Sequence, residues 1–160
     1  MKVYLDTSVI IGLADPLDSF HKLSLDFVNR LDNHEVERLS GSPLVMELGK
    51  LAETKGTRRG IDILNSMEEF GIRLKNTGIK EIWKLSDIYL EEGVLSKRHR
   101  LDLLHYASAS LLECTHLASW NHRQFNDRTA RKVSDVNAKH GLSNLIAGKP
   151  DYIMKVENLG

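Results

Sequence analysis

Short apolar runs alternate along this chain with longer stretches in which apolar residues recur every three or four positions. The short runs predict strands, because they are rich in strand-forming side chains and too brief for helices. They cover residues 3–5, 36–40, 72–74, 116–120 and 144–147. The longer stretches predict helices that turn one apolar face inward, over residues 9–14, 21–31, 44–52, 61–70, 79–90, 101–112 and 128–139.

The regular alternation of predicted strands and helices is typical of an α/β protein with a parallel sheet and helices on both of its faces. Residues 36–40 show weak alternation and carry several charges, so we expect this strand near the edge of the sheet. The length suits one domain with a sizeable core, and we expect a single domain over residues 1–160.

Composition and charge narrow the range of functions. Lys and Arg total 22, as do Asp and Glu, so no net field attracts nucleic acid and such binding needs a local basic patch. The segment Lys97–Arg100 is the strongest such patch. The single cysteine, Cys114, cannot form an internal disulfide, which favours the reducing cytoplasm. No apolar run approaches the ~20 residues needed to span a membrane.

Asp6 directly follows the first apolar run, which places its carboxylate at the carboxyl end of a strand. In an open α/β sheet this is the edge at which ligand sites form. A carboxylate there loses hydration and needs hydrogen-bond donors or a metal ion as a partner. Thr7 and Ser8 are suited to cap the helix that follows. The alternative is that Asp6 is itself the helix N-cap.

Two more acids open predicted helices that are rich in apolar residues. Glu47 follows the helix start Ser42-Pro43 and has apolar or small neighbours, so a solvated surface position explains it poorly. Asp102 begins the helix over 101–112, whose nearly continuous apolar and small residues indicate burial. For both acids the alternative is a favourable interaction with the positive end of the helix, worth ~0.3–1 kcal/mol.

Asn121 follows a later predicted strand and adds a polar carbonyl at the same edge of the sheet. Helices that lead away from this edge also begin near it, so we expect Asp6, Glu47, Asp102 and Asn121 to converge. Carboxylates within ~4–6 Å repel one another unless a cation lies between them, and hard oxygen ligands suit Mg²⁺ or Mn²⁺. His105, one turn after Asp102, is interpreted as a hydrogen-bonded core residue rather than as a metal ligand.

Other classes of site lack their signatures in this sequence. No serine or cysteine nucleophile with a paired base is visible, and neither a phosphate-binding loop nor a dinucleotide glycine fingerprint is present. The Cys and His positions do not have the spacing of a structural zinc site.

The ordered set of motifs resembles the PIN domain family, and it extends over essentially the whole chain. The motifs are Asp6-Thr7-Ser8 after a strand, Glu47 in a helix opening, Asp102-Leu-Leu-His105, and Ser119-Trp-Asn121. The resemblance implies a three-layer α/β/α sandwich with a mostly parallel sheet of about four or five strands. It also implies Mg²⁺- or Mn²⁺-dependent cleavage of RNA phosphodiester bonds, with Asp6, Glu47 and Asp102 at the acidic metal-site positions.

Many small members of this family are the toxins of toxin–antitoxin pairs, and many form homodimers. The resemblance therefore implies an antitoxin protein and a second copy of the chain as partners, besides the RNA substrate. Arg98, Arg100 and Arg123 are candidates for binding RNA phosphates, and Ser8 is a candidate for a hydrogen bond to Asp6 or to a water on the metal.

The chain departs from the family's pattern at the fourth acidic position. Many members have Asp after the later strand, where this chain has Asn121. The asparagine oxygen is able to coordinate a metal but contributes no charge. Asp127, further along the loop, is the candidate substitute for the fourth acid. We therefore expect one well-held ion and a weaker second one.

Two other functions stay open. The first is a non-catalytic PIN-like module that binds RNA or a partner protein, which the missing fourth acid favours. The second is a metal-dependent phosphatase or other hydrolase on a related α/β fold, which would turn over small phosphoesters instead of structured RNA.

Overall fold

Five short strands and eight helices form the protein, and the computed structural model describes all of residues 1–160. The strands are β1 (Lys2–Leu5), β2 (Glu37–Ser40), β3 (Ile72–Leu74), β4 (His116–Ala118) and β5 (Ile146–Gly148). The helices are α1 (Thr7–Ala14), α2 (His21–Asp32), α3 (Ser42–Lys55), α4 (Thr57–Glu69), α5 (Ile79–Glu91), α6 (Arg100–Leu111), α7 (Asp127–Lys139) and α8 (Pro150–Val156). A 3₁₀ turn over Lys97–His99 leads into α6. None of the helices has the length and apolarity needed to cross a membrane.

The five strands pair in parallel in the order β3-β2-β1-β4-β5, so the predicted parallel α/β sheet is confirmed. Tyr4 of the central strand β1 lies opposite Leu39 of β2 on one side and Leu117 of β4 on the other. The chain adds β2 and β3 on the first side and returns later to add β4 and β5 on the second. Ligand sites of open α/β sheets form at such a switch in strand order, outside the carboxyl ends of the strands.

The expected position of β2 near the edge of the sheet is confirmed. It lies between β1 and β3, next to the edge strand β3. The charges of β2 are paired instead of turned to solvent: Glu37 Oε1 accepts a 2.9 Å hydrogen bond from Lys75 Nζ and another from Arg73, and Arg38 contacts Asp32. Charged residues therefore occur in an interior strand because neighbouring side chains neutralise them.

Helices cover both faces of the sheet, because successive strand residues point to opposite faces. Tyr4, Leu39 and Leu117 enter the core formed with α5, α6 and α7. Val3 and Leu5 enter the core on the other face, which includes residues of α1, α2, α4 and α8. The three-layer α/β/α sandwich implied by the sequence motifs is confirmed.

Turn residues end several helices where the sequence predicts. Gly71 follows α4 with φ +61° and Gly93 follows α5 with φ +71°, a left-handed backbone that glycine adopts without a steric penalty. Several predicted boundaries are wrong by a few residues. β4 ends at Ala118 rather than at residue 120, β5 is Ile146–Gly148 rather than 144–147, and α4 begins at Thr57 rather than at residue 61.

Candidate active site

Asp6 lies at the carboxyl end of the central strand, where four protein groups donate hydrogen bonds to it. Oδ1 accepts from Ser8 N (3.0 Å), Ser8 Oγ (2.6 Å) and Val9 N (3.4 Å), so Asp6 is the N-cap of α1. Oδ2 accepts from Ser119 Oγ (2.6 Å). The alternative of Asp6 as the cap is thus correct, and so is the expected bond from Ser8. Only 5% of Asp6 is exposed, so these donors replace the hydration that burial removes.

The segment after β4 is anchored to the same network. Trp120 N donates to Ser8 Oγ and Asn121 N donates to Ser119 Oγ, both at 3.0 Å. Ser119 is therefore an orienting residue that the sequence analysis does not include among the site residues, although it lies within the motif Ser119-Trp-Asn121. The feature of the sequence that indicates a role for Ser119 is its position directly after a strand, at the same edge of the sheet as Asp6.

Glu47 connects α3 with both α1 and α6. Its Oε1 accepts hydrogen bonds from Thr7 Oγ1 and from His105 Nε2, both at 2.6 Å. Its Oε2 accepts no hydrogen bond from the protein, and a quarter of the side chain is exposed. His105 is 2% exposed and its Nδ1 lies 2.9 Å from the Tyr4 hydroxyl, which agrees with its interpretation as a hydrogen-bonded core residue. The carboxylate of Glu47 is thus held through one oxygen and open at the other.

Asp102 lies in the first turn of α6, and its carboxylate accepts no hydrogen bond from the protein. Its Oδ2 lies 3.4 Å from His99 Nδ1, and its side chain is only 20% exposed. A carboxylate that is largely buried without donors is costly. Both carboxylate oxygens of Asp102 are therefore free to accept a ligand.

Burial raises the pKa of the Asp6 and Asp102 carboxyls above the ordinary aspartate value. The nearby His105 imidazole opposes this rise in both, whereas Glu47 raises both pKa values further. For Glu47 itself burial also raises the pKa, but the hydrogen bonds from His105 and Thr7 and the nearby imidazole outweigh it, so its pKa is lowered. The carboxylates of Asp6, Glu47 and Asp102 are therefore near enough to influence one another electrostatically.

The donor chemistry of this region fits a hard divalent cation. Asp102, Oε2 of Glu47 and the exposed amide of Asn121 accept no hydrogen bonds from the protein and offer oxygen ligands. In this conformation no group of three Asp, Glu, His or Cys side chains is close enough together to form a complete metal cluster. Mg²⁺ usually keeps several waters and needs only one or two carboxylates, so these residues fit it as a partial shell.

The three candidate arginines differ in their environments. Arg100 Nη1 donates a 2.6 Å hydrogen bond to Asp87 Oδ1, and the guanidinium lies 5.2 Å from the centre of the Trp83 ring. Arg98 and Arg123 are exposed. Arg100 is thus engaged within the protein, and the other two are accessible to a ligand. Phosphate binding by any of them stays a prediction.

Asp127 is the first residue of α7, where its side chain is half exposed. Its Oδ2 accepts from Arg131 Nη2 (2.8 Å) and its Oδ1 accepts from the Tyr152 hydroxyl (3.2 Å). Neither bond joins it to the other three acids. Its role as a substitute fourth acid stays a prediction.

A groove of about 370 Å³ between α1 and α4 lies apart from the three acids. Ile11 and Ile63 form part of its wall, together with Arg58 and Arg59. Arg59 Nη2 is paired with Asp15 Oδ2 at 3.0 Å. The groove therefore contributes none of the predicted site residues.

Comparison with known proteins supports the fold. The crystal structure of the Mycobacterium tuberculosis toxin VapC20, described as a sarcin-ricin loop cleaving toxin, matches with a TM-score of 0.58 at 13% sequence identity. The match covers 81% of this chain and 94% of the toxin. No family model and no curated protein sequence matches the chain. The chain thus has the PIN-like fold that its sequence motifs predict.

Proposed function

We propose that this protein is a metal-dependent endoribonuclease that hydrolyses RNA phosphodiester bonds with Mg²⁺ or Mn²⁺. The observation that carries the proposal is the grouping of Asp6, Glu47 and Asp102: Oε1 of Glu47 accepts hydrogen bonds from Thr7, which follows Asp6, and from His105, one turn after Asp102. These residues come from the end of β1, from α3 and from α6, near the switch in strand order. The fold shared with VapC20 agrees with this activity.

Each side chain has a role in the proposed reaction. Asp6 and Asp102 would hold the cation, and Glu47 would be a further ligand or would orient a water. A bound cation would supply Lewis acidity, which lowers the pKa of water and offsets charge on the phosphoryl oxygens. Ser8 and Ser119 keep the Asp6 carboxylate in one orientation through hydrogen bonds of 2.6 Å. In-line attack on phosphorus would leave a 3′-hydroxyl and a 5′-phosphate, as the family resemblance implies.

Cleavage of labelled RNA tests this proposal. The wild-type protein should cleave with Mn²⁺ or Mg²⁺ and lose activity in EDTA. Asp6→Asn keeps the side-chain shape but removes the charge, and it should lower the rate on the order of 100-fold. Asp135→Asn is the matched control, because Asp135 is exposed on α7. Cleavage that survives EDTA or Asp6→Asn would overturn the proposal.

A non-catalytic RNA- or protein-binding module is the second candidate function. The specific observations in its favour are the uncharged Asn121 and the lack of a complete metal cluster. Calorimetric titration with Mn²⁺ separates the two functions. RNA binding without metal binding at millimolar Mn²⁺ favours the module, and turnover of small phosphoesters without RNA cleavage favours a phosphatase.

We also propose that the protein is the toxin of a toxin–antitoxin pair. The support is the fold shared with VapC20, which is itself a toxin. Induced expression in a bacterial host should arrest growth, and expression of Asp6→Asn at the same level should not. Equal arrest by both proteins would contradict a toxic nuclease activity. The antitoxin would be the co-expressed protein that relieves the arrest.

A homodimer is proposed on the basis of an apolar surface beside the edge strand β3. Val45, Leu64, Leu74 and Ile79 are each 44–49% exposed, and an opening of about 390 Å³ is lined by Val45, Leu74 and Ile79. Exposed apolar patches and strand edges favour association. Leu74→Glu should therefore yield a monomer in sedimentation experiments. Leu17→Glu, at a residue 93% exposed elsewhere, is the control that should leave the dimer intact.

A further inference from the structure

His105 is a buried histidine with both ring nitrogens paired. Its Nδ1 lies 2.9 Å from the Tyr4 hydroxyl, and its Nε2 lies 2.6 Å from Oε1 of Glu47. The ring is 2% exposed and Tyr4 is fully buried. Water is therefore excluded from the contact between His105 and Tyr4.

The chemistry of the partners sets the direction of both hydrogen bonds. An ionised Glu47 only accepts, so Nε2 carries a proton and donates to it. In the neutral ring Nδ1 then accepts, and the Tyr4 hydroxyl is the donor. Burial raises the pKa of Tyr4, so its hydroxyl keeps the proton that this bond needs. The chain of donors runs in one direction, from Tyr4 through His105 to Glu47.

We propose that His105 is a positioning residue that fixes Oε1 of Glu47, so that Oε2 is the oxygen presented to the divalent cation. Thr7 Oγ1 supplies the second donor to Oε1 at 2.6 Å. Oε2 has no donor, and a quarter of the Glu47 side chain faces solvent. Tyr4 completes the arrangement by holding the ring in the tautomer that donates to Glu47. This inference rests on the metal-dependent function proposed above.

Packing alone explains the position of the His105 ring less well than its two hydrogen bonds do. His105 meets the rings of Tyr4 and Phe125 edge-on, at centroid distances of 5.7 and 6.5 Å. A purely packed ring in this place does not require a hydrogen-bond partner at each nitrogen. Partners of this kind behind metal ligands typically change metal affinity by about 10–100-fold when they are removed.

Titration of the RNA-free protein with Mn²⁺, followed by electron paramagnetic resonance, tests the role of His105. His105→Leu should weaken Mn²⁺ binding about 10–100-fold, because Glu47 loses a donor that orients it. Tyr4→Phe removes a single hydroxyl and should weaken binding in the same direction by a smaller factor. Phe125→Leu disturbs packing against the ring and spares both hydrogen bonds, so it should lower the melting temperature without changing the Mn²⁺ affinity.

Nitrogen-15 spectra of the wild-type imidazole give a readout that does not depend on a folded variant. They should show His105 with a proton on Nε2 in the metal-free protein. A ring protonated only on Nδ1 would overturn the inference.

The outcomes separate this inference from the function on which it rests. No Mn²⁺ binding by the wild-type protein would overturn the metal site and, with it, the role of His105. Wild-type binding with unchanged affinity in folded His105→Leu and Tyr4→Phe would overturn only the role of His105. Tighter binding in His105→Leu would also overturn it, because His105 would then hold Glu47 away from the metal.

Discussion

Ser119 Oγ donates a 2.6 Å hydrogen bond to Oδ2 of Asp6, and this bond joins residues 113 positions apart in the chain. It links the ends of the adjacent strands β1 and β4 at the switch in strand order. The same hydroxyl accepts a 3.0 Å bond from Asn121 N. A single serine thus orients the central carboxylate and holds the loop that carries Asn121.

Ser119→Ala should destabilise the protein by about 1–3 kcal/mol, because a buried oxygen of Asp6 loses its donor. Urea denaturation measures this change. Ser96→Ala is the control, because Ser96 precedes the 3₁₀ turn without a side-chain capping bond and is exposed. Equal losses in the two variants would contradict a specific role for Ser119.

The stability of the metal-free protein should depend on pH through Asp6 and Asp102. Their native pKa values are raised. Their contribution to the free energy of unfolding is therefore complete below the ordinary aspartate pKa of 3.8 and is lost as pH rises through the raised values. The pKa of Glu47 is lowered, so Glu47 stabilises the protein as pH rises toward its ordinary pKa of 4.5. Above about pH 5 Glu47 is ionised in both the folded and the unfolded protein and changes the stability little.

Denaturation in EDTA across this range checks the sign of the effect. Above about pH 5 the wild-type protein should lose more stability with rising pH than Asp6→Asn, which has no carboxyl to ionise at this position. Added Mn²⁺ should reduce the loss, because a cation stabilises the ionised carboxylates. Parallel curves for the two proteins would show that Asp6 does not titrate as inferred.

Asp102→Asn should separate catalysis from stability. RNA cleavage should fall on the order of 100-fold, because a charged metal ligand is lost. The melting temperature in EDTA at neutral pH should be unchanged or higher, since an amide replaces a largely buried carboxylate without donors. A large fall in melting temperature would instead indicate a structural role for Asp102.

Arg98 and Arg100 should respond differently to replacement by alanine. Arg98 is exposed, so Arg98→Ala should weaken RNA binding and reduce the slope of log affinity against log salt by about 1 if it contacts one phosphate. Arg100 is paired with Asp87 and lies over Trp83, so Arg100→Ala should mainly lower the melting temperature. If Arg100→Ala reduces the slope of log affinity against log salt more than Arg98→Ala does, the phosphate contact belongs to Arg100.

Asn121→Asp should strengthen binding of a second cation and raise the cleavage rate. The Asn121 side chain is exposed and makes no hydrogen bond, so the substitution breaks no contact. The added charge supplies the acid that this chain lacks at the fourth position. Mn²⁺ stoichiometry from calorimetry is the measurement, with Asn65→Asp, at an exposed residue of α4, as the control. Unchanged stoichiometry would show that the fourth position does not limit metal binding.

Local signals were sufficient to predict most helices and strands of this protein. The apolar run Val3–Leu5 became β1, and Gly71 and Gly93 follow helices as expected. The pairing partners of distant residues could not be predicted in the same way. The charges of β2 indicated its position near the edge, but they did not indicate that Glu37 pairs with Lys75 and Arg38 with Asp32. Such partners depend on which strands become neighbours, which no local pattern reports.

The sequence by itself determined the order of strands and helices and indicated the three candidate acids, because strand formation, helix starts and acidic motifs depend on neighbouring residues. Only the tertiary structure decided how each carboxylate is held. Ser119 reaches Asp6, Thr7 and His105 both reach one oxygen of Glu47, and Asp102 has no donor. These contacts join residues 40, 58 and 113 positions apart. They form because the parallel sheet brings the ends of separate elements to one edge.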